Sequence, residues 1–474
     1  MDQRISSIEK ADPQDYAQQP GADPRPCRRP AGRKPGPAPE YESIGRQLIA
    51  VARHCFPELN HWLDDLTDPR CQELCVYPGR HIWWQIMLTF ILRGGSRNAF
   101  DGDRNTGELP QNMAQICDQE WDEERLGTRR TVTCSENAQH HASRVPVEEV
   151  ARMTVKMVRR LMAMRLLDRA RLFDRWWLIA VDGTLQDRGH DTPDDEARYR
   201  YVVDAKLVGP EGTMFPLITE FVDMRDPVRD KEDCELNAFK RLAPRLHAEF
   251  PKLPICLLLD GLYPVQPVFD ICKLYDWKFI ATLREGRQPI AYDEAVQTMI
   301  MSPANVFQCQ RQGEHGMVNQ TLRWTDHVPF GDEQNPSHEF SVLFSGEISP
   351  VDATLWCWVT NFPLSYKRVY AIANQGARAR NGIENVFNVE KNGGFGLEHA
   401  FCANPTASQN YHLIMQVAYI LWQLLAYGLL QRLMRVCRKV TVLKMAELLR
   451  TSLLSVRINP LIPAFGQLRF RSSA

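Results

Sequence analysis

A chain of 474 residues, 44% hydrophobic and 24% charged, has enough apolar mass for a sizeable core and the composition of an ordinary soluble globular protein. Its formal net charge of −1 excludes a polycation, so any affinity for nucleic acid must come from local patches. Among thirteen scattered cysteines the closest pair is Cys71 and Cys75, which excludes a four-ligand zinc site of ordinary spacing and points to reduced thiols in a cytosolic protein.

Residues 1–43 are rich in Pro, Gly, Arg and Ala, as in Arg25-Pro-Cys-Arg-Arg-Pro-Ala-Gly-Arg-Lys-Pro35, and cannot build a core. They are expected to form a disordered basic tail, either a phosphate-touching arm or an inert linker. The polar N-terminus lacks the apolar segment of a secretory signal, so a cytoplasmic location is expected. Over 44–170 the signals are helical. Ile44 to Cys55, His81 to Leu92 and Val147 to Leu167 carry apolar residues at three- and four-residue spacing. Arg93-Gly-Gly-Ser-Arg97 is a basic turn after one of these helices, suited to a phosphate or to a helix C-terminus.

The pattern changes near 176 and predicts an α/β region with a mixed sheet over 171–285. Trp176 to Asp182 and Pro254 to Asp260 are continuous apolar runs ending in an acid, as buried central strands are. Tyr199 to Leu207 and Met214 to Val222 read as two strands joined by a turn at Gly209–Gly212. Asp230 to His247 and Val265 to Tyr275 read as helices, and Trp277 to Leu283 as a further strand. Residues 286–361 alternate in short runs and predict an all-β insertion. Helix signals resume over 362–440, and 441–474 form a C-terminal extension. Gln409 to Gln431 has no formal charge, but His412, Gln416, Gln423 and Gln431 interrupt it; a core helix rather than a membrane span is expected.

The chemistry concentrates in a few residues. Asp182, in Ala-Val-Asp-Gly-Thr184, and Asp260, in Leu-Leu-Leu-Asp-Gly-Leu-Tyr263, stand at the ends of the two most apolar strands, where a carboxylate can enter a cleft on rigid backbone. In a helix over 380–391, at about 100° per residue, Arg380, Glu384 and Lys391 share an arc of roughly 40°. Alone, that stripe is equally a solvated ion-pair face. With two aspartates upstream it becomes a set of three carboxylates able to hold Mg²⁺, beside two cations able to hold phosphate. Val-Asp-Gly-Thr also matches part of a phosphatase signature, but that chemistry needs an Asp two residues before Asp182, where Ala180 stands.

The order Asp182, Asp260, a long β-rich insertion and then Arg380-x3-Glu384-x6-Lys391 resembles the DDE transposases of bacterial insertion sequences, in the insertion-sequence-four-like group with the Tyr-x2-Arg-x3-Glu-x6-Lys signature. The segment Arg229-Asp-Lys-Glu-Asp-Cys-Glu-Leu-Asn-Ala-Phe239 is also similar to that group, and Asp68-Pro-Arg70 and Arg93 to Arg97 are similar more weakly. The resemblance implies a ribonuclease H-like catalytic core, interrupted by the β insertion and preceded by a helical N-terminal domain that binds DNA. It implies catalytic and metal-binding roles for Asp182, Asp260 and Glu384, with two Mg²⁺ ions (Mn²⁺ as a substitute), and phosphate contacts from Arg380 and Lys391. The expected partners are double-stranded DNA at the element ends and target, and a second copy of the chain in a synaptic homodimer, with no membrane and a nucleoid-associated location. The signature tyrosine falls at Ala377, which leaves a catalytically inactive DNA-binding relic or regulator on the same fold as the alternative.

Several features carry two readings. Trp324, Trp356 and Trp358 of the insertion are candidates for stacking on a flipped base, or core residues. His140-His141 suits a cap or surface better than a metal. Lys231, Asp233 and Glu235 face either the cleft or solvent at a helix start. Arg432, Arg435, Arg438, Lys439 and Lys444 form a basic patch for phosphates or a solvated face.

Overall fold

The structure, a computed structural model, describes residues 41–94, 96–189, 198–223, 231–313, 316–332, 335–398, 401–429 and 442–458. The basic tail up to residue 40, the cations Arg432, Arg435, Arg438 and Lys439, and the side chains of Lys231 and Asp233 lie outside the described residues.

The N-terminal helices include α1 (Tyr41–Cys55), α2 (Gly79–Ile91) and α3 (Val147–Ala163). In α3 the buried residues Val150, Met153, Thr154, Met157, Val158 and Leu161 recur every three or four positions, the stripe a helix needs to lie on a core. Glu148 and Glu149 in its first turn complement the helix dipole.

An antiparallel meander follows: β1 (Trp177–Gly189), β2 (Arg198–Val208) and β3 (Met214–Asp223). The turn between β2 and β3 places Glu211 and Gly212 at φ of 57° and 75°, left-handed values that glycine adopts without strain. The chain then crosses over through α4 (Lys231–Glu249) to β4 (Ile255–Leu259), and through α5 (Gln266–Leu274) to β5 (Lys278–Thr282). β4 is parallel to β1, and β5 to β4. Parallel neighbours require such crossovers, and strands covered on both faces must be apolar along their whole length. Every residue of β4 is buried accordingly.

The segment expected to be all-β departs from that description in two ways. It begins with a helix, α6 (Pro289–Met301), whose Ala291, Ala295 and Met299 are buried at four-residue spacing. Its strands β6 (Val306–Gly313), β7 (Gly316–Asp332), β8 (Asn335–Ile348) and β9 (Ala353–Thr360) also form no separate sheet. β9 pairs antiparallel with β5 through Ala281↔Val359, giving one nine-stranded sheet in the order β3-β2-β1-β4-β5-β9-β8-β7-β6. The free edge of β5 offers unpaired backbone groups, and β9 satisfies them.

Beyond β9 come α7 (Asn381–Asn392), α8 (Pro405–Gln423) and α9 (Val442–Ser455). Almost every side chain of α8 from Ala407 to Gln423 is buried, because it runs between α2, α3 and β3. That position explains its uncharged, evenly apolar sequence, and among the described residues no helix is long and apolar enough to cross a membrane. α9 lies against α1, where the backbone N–H of Gly45 donates to Ser452 Oγ at 3.0 Å and a β-carbon would stand 2.7 Å from the same oxygen. One continuous apolar core runs from Ile44 to Ile458.

Candidate active site

The parallel pairing of β1 with β4 sets Ala180 beside Leu258, so the two strands bring Asp182 and Asp260 to the same end of the sheet. Asp182 does not end its strand as expected: β1 continues past it to Gly189, paired with β2, and its Oδ1 accepts from the N–H of Gly183 at 3.0 Å. Asp260 opens a turn after β4, and its Oδ1 accepts from the N–H of Leu262 at 2.8 Å. A β-carbon on Gly183 would lie 2.2 Å from the hydroxyl of the buried Tyr201, so that position needs glycine, and one on Gly261 would lie 2.8 Å from Cδ of the Arg284 side chain. Arg284, exposed just past β5, thus lies against Gly261, next to Asp260 in sequence; sequence reading did not single it out.

The third carboxylate arrives from α7. Arg380 stands at the helix entry and reaches back to the sheet, with Nη1 3.3 Å from Asp182 Oδ2 and Nη2 paired with Glu384 one turn later. The guanidinium therefore bridges Asp182 and Glu384. The Arg380 and Asp182 side chains are 12% and 15% exposed, whereas Glu384 is 54% exposed. Burial, above all, pushes the Asp182 carboxyl up to about 7; Asp260 and Glu235 push the same way, against Arg380. Among the described residues no group of three His, Cys, Asp or Glu side chains is arranged to hold a metal ion, and the positive charge between Asp182 and Glu384 is that of Arg380.

Lys391 stands apart. Seven residues beyond Glu384, it is about 10 Å further along the helix axis, and its Nζ is 4.0 Å from Glu398 Oε1. The stripe seen in the sequence joins Arg380, at the entry of α7, and Glu384 to Asp182, and does not include Lys391.

Two irregular turns precede α7. Ile372–Gly376 forms a π-turn and Ala377–Arg380 a 3₁₀ turn. Gly376 is pressed onto β5, where a β-carbon would lie 2.5 Å from Ile280 Cδ1. Ala377 is buried as a result, and Arg378 turns to the insertion, where it pairs with Glu347 and lies 5.6 Å from the Trp356 ring. Of the three tryptophans, Trp324 and Trp358 are core residues, while Trp356 is half-buried and stacks on Trp358 at 6.2 Å.

The remaining candidates serve the framework. Arg93 donates through Nη1 to the Gly393 carbonyl at 2.7 Å and lies over the Phe395 and Trp422 rings, so it ties α2 to the chain leaving α7. Asp68 and Arg70 pair at 2.5 Å, with His141 buried beside them; burial pulls that imidazole down to about 4, so it is neutral. Lys444 pairs with Glu447 at 2.8 Å. Glu235, which as an acid near a helix start had two readings, is 6% exposed and receives the hydroxyls of Tyr201 and Tyr263. Nothing in the sequence marks those two tyrosines as its partners. Comparison of the sequence with models of known families and with curated proteins finds no match.

Proposed function

We propose that the protein is a DDE transposase, cutting DNA at the ends of an insertion sequence and joining those ends to target DNA. The observation that carries this reading is the Arg380 guanidinium at the entry of α7 bridging Glu384 to Asp182 of β1, with Asp260, just after the parallel strand β4, close enough to act on Asp182. An ion-pair ladder on a solvated helix gives no reason for Arg380 to reach a desolvated aspartate 198 residues away in sequence. The sheet order β3-β2-β1-β4-β5, with an antiparallel meander followed by two parallel strands, supports a ribonuclease H-like core on which the second group of strands is an extension.

The donor set fits a hard divalent cation. Its side chains are carboxylates, and Asp182 is largely screened from solvent, with Asp260 and Glu235 acting on it against Arg380. Asp182, Asp260 and Glu384 would hold Mg²⁺ or Mn²⁺, two ions in this reading, which supply activation of a water or 3′-hydroxyl and stabilisation of the leaving 3′-oxygen. Arg380 neutralises Asp182 and Glu384 and is placed to share its charge with a phosphate. Arg284 adds a cation on the Asp260 side, and Trp356 offers a partly exposed ring for a base. Lys391, further along α7, suits DNA outside the cleavage point.

The test uses DNA carrying the sequences that flank the coding region. Asp182→Ala should abolish Mg²⁺-dependent nicking while DNA binding stays within about twofold of wild type; undiminished nicking overturns the assignment. The competing reading, a DNA-binding relic or regulator, rests on Ala377, which is buried and carries no hydroxyl. End binding by the wild-type chain without metal-dependent cleavage would favour it.

A further inference from the structure

We propose that Glu235 is a positioning residue that holds β1 at Asp182 and the turn at Asp260 at a fixed separation, acting through Tyr201 and Tyr263; the proposal rests on the nuclease reading above. Each oxygen of Glu235 serves a different one of the two tyrosines, Tyr201 on β2 and Tyr263 after β4. Oε2 accepts from the Tyr201 hydroxyl at 2.6 Å, and Oε1 from the Tyr263 hydroxyl at 2.9 Å. The Tyr201 hydroxyl lies directly over Gly183, the residue after Asp182. Tyr263 closes the turn that Asp260 opens, its N–H directed to the Asp260 carbonyl at 3.4 Å. One carboxylate on α4 is thereby connected to β1 beside Asp182 and to the turn that Asp260 opens.

The struts are rigid. Tyr201 and Tyr263 are 2% and 0% exposed, and Phe239, one turn along α4 from Glu235, packs edge-on against the Tyr263 ring at 5.5 Å. Burial, with Glu235 beside them, holds both phenols well above their usual range, so both remain donors. Stability alone is a poor reason for this arrangement. A buried carboxylate next to Asp182 and Asp260 adds repulsion that an apolar residue on α4 would avoid. Its return is preorganisation: Asp182 on β1 and Asp260 in the turn after β4 would otherwise settle their spacing anew at each metal-binding event.

The experiment measures Mn²⁺ binding by calorimetry and the Mg²⁺ dependence of nicking in the full chain, with Asp182→Ala as control. The double variant Tyr201→Phe/Tyr263→Phe keeps the rings and the packing but removes both struts. It should weaken Mn²⁺ binding and raise the Mg²⁺ requirement for nicking by about tenfold, as loss of outer-shell support does. End-DNA affinity should be unchanged. Glu235→Gln, whose single amide oxygen can accept only one of the two hydroxyls, should lie between wild type and the double variant, whereas Glu235→Ala should match the double variant. A wild-type metal response in the double variant, with Asp182→Ala inactive, overturns the role of Glu235 and leaves the nuclease reading standing. Neither binding nor nicking by the wild-type chain overturns both.

Discussion

Helix α7 carries two clusters of charge about two turns apart, and they differ in almost every respect except composition. At its start, Glu384, Arg380 and Asp182 join helix to sheet with Glu384 half in solvent. Further along, Glu390 is completely buried and accepts from Lys206 Nζ at 2.8 Å. The same Lys206 lies 3.2 Å from Asp204 and donates to Gln416 of α8 at 2.9 Å, while Thr219 donates to Asp204 at 2.6 Å. Asp182 and Asp204 are register partners on β1 and β2, so the clusters share one pair of strands as well as one helix. Solvent access separates their uses. Charges sealed from water keep their partners and bolt α7 and α8 to the sheet, whereas the half-exposed charges are the ones that, in the proposed function, would exchange Arg380 for a metal or a phosphate.

That contrast can be broken most readily at Lys206. Lys206→Met leaves Asp204 and Glu390 buried without their cation and should cost about 3–5 kcal/mol in denaturant unfolding. A loss below about 1 kcal/mol would show that the inner cluster bolts nothing.

The effect of Asp182 should be smaller and of opposite sign. Its carboxyl is raised from 3.8 to about 7 by burial, so the folded state holds this proton more tightly than the unfolded chain. The stabilisation from the protonated form is complete below about 3.8 and is lost as pH rises through about 7. Asp182→Asn lacks this dependence. Wild type should therefore lose stability relative to the variant across that window, and parallel pH–stability curves would contradict the desolvation argument. Metal affinity should move the other way, rising as pH passes 7.

The smallest stability change should come from Glu384→Gln. An exposed ion pair contributes little, so unfolding should shift by no more than about 1 kcal/mol while nicking is lost. A large destabilisation with retained nicking would make Glu384 a second structural bolt.

Much of this was legible in the sequence, and the exceptions have identifiable causes. The apolar runs ending in Asp182 and Asp260 are strands because buried parallel strands have no polar face, and their chemistry is visible in the terminal acid. The spacing of Arg380 and Glu384 showed one helical turn correctly. Lys391 falls on the same stripe because a helical wheel ignores distance along the axis. The π and 3₁₀ turns come from Gly376 packing on Ile280, a contact between segments 96 residues apart. The pairing of β9 with β5, and the two tyrosines meeting at Glu235, likewise depend on tertiary neighbours that no local pattern encodes.

The central claim is that three carboxylates distant in sequence form one metal-binding centre. Calorimetric titration of the full-length chain with Mn²⁺ at pH 8, beside the Asp182→Ala variant, tests it most directly. The account predicts binding by the wild-type protein that weakens at least tenfold in the variant. Equal binding by both proteins, or none by the wild type, would contradict it.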